Sequence, residues 1–186
     1  MLDIFLQSMS FIPVAVVGIT SLLIVRYLGV DRASSVSVHA ASHPKTSFIL
    51  SLVILITGTL YFLNLWLWVG QKYEIPHIDA IVLVTYMAGL ILALMPADKN
   101  RKWSSRLHTA AGIVLLLLMP VFAVLVLLSP NLTNPLLIIA TKVFIALTLV
   151  IGLLRILPHR FSSEVLVYEV TYIGLFYVLV ILLTYL

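Results

Sequence analysis

Six long apolar runs divide the chain, at about Ile4–Leu28, Phe48–Val69, Ile78–Met95, Leu107–Leu128, Leu136–Leu157 and Val165–Leu186. Each is close to the roughly 20 residues that a helix needs to cross the hydrocarbon of a bilayer. None shows the strict alternation of a membrane-barrel strand. A segment surrounded by lipid must satisfy its own backbone polar groups, and a helix does this within itself. The expected fold is therefore all-α: a polytopic membrane protein, a bundle of six transmembrane helices forming one domain over residues 1–186. Charged residues make up 10% of the chain, against about 25% in soluble domains, which is too few to cover a water-facing surface. No connection is long or polar enough to hold a separate soluble domain. The N-terminus does not read as a cleaved leader, because Asp3 stands where a leader carries positive charge and the run beyond it is long enough to span.

Pro44, Pro76, Pro96, Pro130, Pro135 and Pro158 fall between the runs or at their edges, where a residue without a backbone N–H is tolerated. Pro120 lies inside the fourth run and predicts a kink. Charge sets the orientation. Arg26, Arg32 and Lys45 flank the first connection, Lys99, Arg101, Lys102 and Arg106 the third, and Arg155 and Arg160 the fifth. The even connections hold only Lys72. The positive-inside rule then makes connections one, three and five cytoplasmic and leaves both termini outside. The plasma (inner) membrane of a prokaryote is the expected location. Arg101, Lys102 and Arg106 are assigned to lipid headgroups, and nucleic acid is excluded as a partner because no domain exists to hold it. Trp66, Trp68 and Tyr73 read as anchors at one interface, with Trp103 at the other.

Ionisable groups inside hydrocarbon are costly, so they are the first candidates for function. Lys142 lies well inside the fifth run and Glu169 about five residues into the sixth. The hairpin between these helices brings Arg155 and Glu169 within reach, and Lys142 and Glu169 if both extend. This group either locks two helices together or lines a polar cavity. Tyr61 and Asn64 share a face of the second helix, Asp79 and Tyr86 a face of the third, and Tyr168 and Tyr172 a face of the sixth. Asn64, Tyr61, Asp79 and Tyr172 join the candidate polar site, or serve as hydrogen-bonding glue between helices.

The stretch Gly29–Ser47 is longer than a plain connection needs, and reads as a loop or a short interfacial helix. It contains His39 and His43 at helical spacing, but Pro44 follows at once and the histidines form no complete ligand set. No metal is expected, and nothing in the sequence names a cofactor. With no cysteine, disulfides and thiolate chemistry are excluded.

The most patterned stretch is Met95-Pro96-Ala97-Asp98, then the basic run, then His108-Thr109-Ala110-Ala111. Asp98 and His108 are candidates for an acid–base pair over a lipid phosphate. This motif and the six-run layout resemble the six-helix membrane proteins grouped as domain of unknown function 998, with Met95 where that pattern carries an aromatic. The resemblance implies a lipid connection and no established activity. The leading functional reading is a non-enzymatic membrane protein that binds a lipid or other apolar ligand, or scaffolds a partner, within the bilayer. A transporter of small molecules or ions using Lys142, Glu169 and Arg155 is one alternative. A lipid-modifying enzyme at the cytoplasmic face is the other. Membrane lipid is the expected partner, and a homo-oligomer or a membrane partner stays open.

Overall fold

A computed structural model describes residues 2–29, 31, 34–95, 97, 102–156 and 165–186; the side chains of residues 2 and 154–156 lie outside that description. The described chain is an all-α polytopic bundle: α1 (Leu2–Leu28), α2 (Val36–Ala41), α3 (Pro44–Asn64), a π-helical turn (Leu65–Val69), α4 (Gly70–Tyr73), α5 (Ile78–Leu94), α6 (Lys102–Leu127), α7 (Pro135–Ile156) and α8 (Val165–Tyr185). Helix α3, the π turn and α4 form one continuous rod. Among the described residues, five helices are long and apolar enough to cross a membrane. Helix α5 is a shorter apolar helix of 17 residues, at the lower edge of the roughly 17–25 that span a bilayer.

The long helices close into a ring. Helix α1 packs on α3, α3 on α5, α5 on α6, α6 on α7, α7 on α8, and α8 returns to α1. The apolar runs end close to where the sequence places them, for local reasons. Pro44 opens α3, and His43 before it is held extended, as a residue preceding proline must be. Pro135 opens α7, with the Asn134 side chain accepting a hydrogen bond from Leu136 N (3.0 Å). Helix α6 continues through Pro120, and α1 through Pro13. Gly29, at φ 88, terminates α1 in the left-handed conformation that glycine adopts without a Cβ clash.

The π turn has a geometric use. In an α-helix, residues four apart drift around the axis by about 40° per step. Tyr61, Leu65, Val69 and Tyr73 are four apart, yet all four belong to one buried cluster. A wider turn at Leu65–Val69 cancels the drift and keeps this row facing the bundle centre. Gly70 follows because a Cβ there would lie 2.7 Å from Ile78 Cγ1 and 3.0 Å from the Leu65 carbonyl oxygen.

Packing is uneven along the bundle axis. The half containing the second and fourth connections holds the main core, including Val69, Val126, Leu137, Val180 and Leu183, none of them measurably exposed. Polar ties reinforce it. Lys72 Nζ (3.2 Å) and Tyr73 OH (3.0 Å) donate to the Leu183 carbonyl, and Trp68 Nε1 (3.2 Å) donates to that of Thr184. These carbonyls lie in the last turn of α8, where no intrahelical N–H remains to serve them. Trp68 and Tyr73, expected from sequence as interface anchors, thus turn inward and finish a neighbouring helix. The opposite half, toward the basic connections, is packed differently: a small cluster of Ile24, Ala40 and Leu50 holds α2 against α1 and α3.

Candidate functional site

The basic half of the ring holds a partly open cavity of about 650 Å³, lined by α1, α2, α3, α5, α6 and α8. This volume falls in the range of small-molecule sites, roughly 300–1,000 Å³. The walls are largely aliphatic and aromatic, with Val14, Leu50, Ile54, Leu90, Met119 and Phe176 among them. Gly18, Gly58, Gly89 and Gly174 also line it. A Cβ at Gly18 or Gly174 would meet nothing within 4 Å, so these glycines widen the chamber. Its most exposed lining side chains are Leu22 of α1 (67%) and Val170 of α8 (56%). The cavity therefore opens sideways, between the first and last helices of the ring.

Several polar wall residues are occupied by their own helix. Thr57 donates to Val53 O, Thr59 to Leu55 O (2.7 Å) and Thr85 to Ile81 O (2.6 Å). Tyr86 OH lies 3.4 Å from Thr59 Oγ1. Two groups stand apart. Glu169, half-buried on α8, lies at the basic end of the cavity, where its Oε2 accepts from Val36 N at 3.0 Å. Tyr61 lies toward the middle of the bundle, 5% exposed, and its hydroxyl has no hydrogen-bond partner among the described residues.

Glu169 explains the long first connection. Val36 opens α2, so its N–H has no intrahelical acceptor. The carboxylate takes it up, while Ser35 Oγ accepts from Val38 N (3.2 Å). His39, inside α2, receives Asp31 N at Nε2 (3.1 Å) and reaches Ser35 O from Nδ1 (2.9 Å), so the donor proton sits on Nδ1. Thr46 Oγ1 donates to Ala40 O (2.7 Å). The connection is thus a short helix seated across the basic end of the chamber, with Val36 and Ser37 facing it.

The other sequence candidates separate. Lys142 is exposed on α7, a helix that does not line the cavity, and pairs with no acid among the described residues; the Lys142–Glu169 approach is not formed. The Arg155 side chain, Asp98 and Arg101 lie outside the described residues. Lys102 and Arg106 are exposed on the first turns of α6. Asp79 is engaged by Trp66 Nε1 (2.6 Å). Tyr172 OH donates to the Leu116 carbonyl, tying α8 to α6. Asn64, fully buried, donates to Leu6 O (2.8 Å) and accepts from Thr184 Oγ1 (3.4 Å), joining α1, α3 and α8. His108 Nδ1 lies 2.6 Å from the Met95 carbonyl, which ties the end of α5 to the start of α6. Among the described residues, no three His, Cys, Asp or Glu side chains gather as metal ligands.

Of the predicted polar site, then, Tyr61 and Glu169 reach the cavity, whereas Asn64, Asp79 and Tyr172 bind helices together. Tyr177, Ser37 and the glycines of the wall are additions of the structure. Their sequence signal is faint: small residues on several helices, with nothing to say that the faces carrying them converge. No family model, curated protein or solved structure matches the chain.

Proposed function

We propose that this integral membrane protein binds an apolar molecule drawn from the bilayer, in the chamber between α1, α3, α5, α6 and α8. The cavity of about 650 Å³, open toward lipid between Leu22 and Val170, carries this reading. Protein interiors are close-packed, with few voids larger than a water molecule. A chamber of this size with aliphatic walls matches the chemistry of a hydrocarbon ligand. Side access suits such a ligand, because it need not leave the membrane to enter. In the proposed orientation the basic connections lie in the cytoplasm and α2 floors the chamber on that side, with Lys102 and Arg106 meeting lipid phosphates. Kinship with the domain of unknown function 998 proteins belongs to the same proposal. The contact between His108 and Met95 gives a physical reason for the spacing of that motif.

The test is native mass spectrometry of protein purified in mild detergent, comparing the wild type with Gly174→Phe. The phenylalanine is placed where a Cβ has open space. An apolar molecule that co-purifies with the wild type and drops by about tenfold in the variant supports the proposal. The same complement of bound molecules in both proteins removes it.

A further inference from the structure

Resting on the cavity-binding reading, we infer that the ligand is a membrane lipid of the leaflet on the side of the basic connections, with an acyl chain stretched along the chamber and its polar head left at the basic end. The length of the chamber carries this inference. Its wall runs from Pro13 to Val25 on α1 and from Leu50 to Phe62 on α3, twelve residue steps each, and from Leu166 to Tyr177 on α8, eleven steps. At 1.5 Å per residue these stretches are about 16–18 Å long. One leaflet is half of a hydrocarbon core about 30 Å thick, or roughly 15 Å. Three helices thus set the same length, and it is close to the depth that the acyl chains of one leaflet fill.

The chamber also sits at the depth of that leaflet. Its wall begins at Val25, three residues before the end of α1, at Leu166, one residue into α8, and at Leu50, six residues into α3. These helix ends all lie on the side of the basic connections. At the far end Val14, Phe62, Met119 and Phe176 close against the main core. The side opening agrees. Leu22 lies six residues before the end of α1 and Val170 five residues into α8, which puts both roughly 8–9 Å from the basic ends of their helices. A chain can slip sideways at that level while its head stays among the headgroups of its own leaflet. The half-buried Ser21 and Ser37 stand on the wall at this end, beside the polar linkage between head and chain. A chain from the opposite leaflet would have to pass the close-packed residues around Val69, Val126 and Val180.

The experiment uses the full chain in nanodiscs of phosphatidylethanolamine and phosphatidylglycerol in equal parts. Probe phospholipids with either head carry a diazirine at one of two places on the acyl chain, beside the ester or at the methyl end. A long-chain alkane diazirine is the third probe, and cross-linked residues are identified by peptide sequencing. The methyl-end probe is expected to label Phe62 and Met119 roughly fivefold over Ser21 and Ser37, and the ester-end probe to reverse that ratio. Gly174→Phe is expected to lower labelling of these four residues by about tenfold and to leave Ile139 and Leu149, exposed on α7, labelled as before. The same ratio from both phospholipid probes, the opposite order, or labelling of the wall by the alkane alone overturns the inference and leaves cavity binding standing. If no probe labels the four wall residues, or their labelling persists in Gly174→Phe, the binding reading falls and this inference with it.

Discussion

Asn64 shows how a single side chain holds helices together where the hydrophobic effect gives no help. Lipid is as apolar as the side chains, so association in a bilayer rests on close packing and on polar contacts between helices. Asn64 is fully buried and spends its amide on Leu6 O and Thr184 Oγ1. Replacing it with leucine is expected to lower stability by about 0.6–2 kcal/mol, the range for such interhelical bonds. Unfolding in a detergent–denaturant titration checks this. Gly70→Val should cost more than Gly18→Ala, because a Cβ at Gly70 meets Ile78 and a backbone oxygen while one at Gly18 meets nothing within 4 Å. The same titration ranks the two. Asn64 and Tyr61 could be chosen from sequence as a polar face of one helix. Their opposite fates could not, because they depend on which neighbours the ring supplies: Asn64 meets a carbonyl of α1, and Tyr61 meets aromatic edges.

The helices were readable as elements because each carries its own information: an apolar run, a proline or glycine at its limit, and basic residues at one end. The first connection was not. Helix α2 is six residues long, too short to hold itself together in isolation. It exists because Glu169, far away in sequence, accepts the Val36 N–H, and because Ser35, Asp31 and His39 close the local bonds. Glu169→Ala should therefore loosen α2 without disturbing α8. Amide exchange over Val36–Ala41 is expected to rise by roughly tenfold or more, since a hydrogen bond to a charged group contributes about 1.5–3 kcal/mol. Unchanged exchange there would remove the carboxylate from the support of α2. Lys142 teaches the reverse lesson. Its position inside a run marks it as costly, but depth along a helix says nothing of direction around it, and the structure places it on the outward surface of α7.

For the whole molecule, the ring order and the uneven packing along the axis matter most. Neither is written in any one helix. In the ring each long helix packs on the next in sequence, and α1 and α8 are left to meet last. Orientation belongs to this scale as well. The chain has no cysteine, so Ser34→Cys and Asn131→Cys each introduce a single thiol, one at either end of the bundle. A membrane-impermeant maleimide applied to intact cells is expected to label Asn131→Cys and to label Ser34→Cys only after lysis. The opposite pattern would invert the assigned orientation.

The joint between α1 and α8 has a consequence for how the protein is made. Tyr185 OH of α8 reaches Gln7 O of α1 across 178 positions of sequence, and Thr184 of α8 meets Asn64 of α3 across 120. Contacts so distant in sequence form late, because the chain between them must be ordered before they bring any gain. During insertion, α1 to α7 can assemble as an open arc whose inner wall faces lipid until α8 arrives. Closing the arc wraps the chamber around whatever hydrocarbon lies against that wall. Under the proposed binding function, the first ligand would be acquired at biogenesis, and the seam would need to open only for exchange.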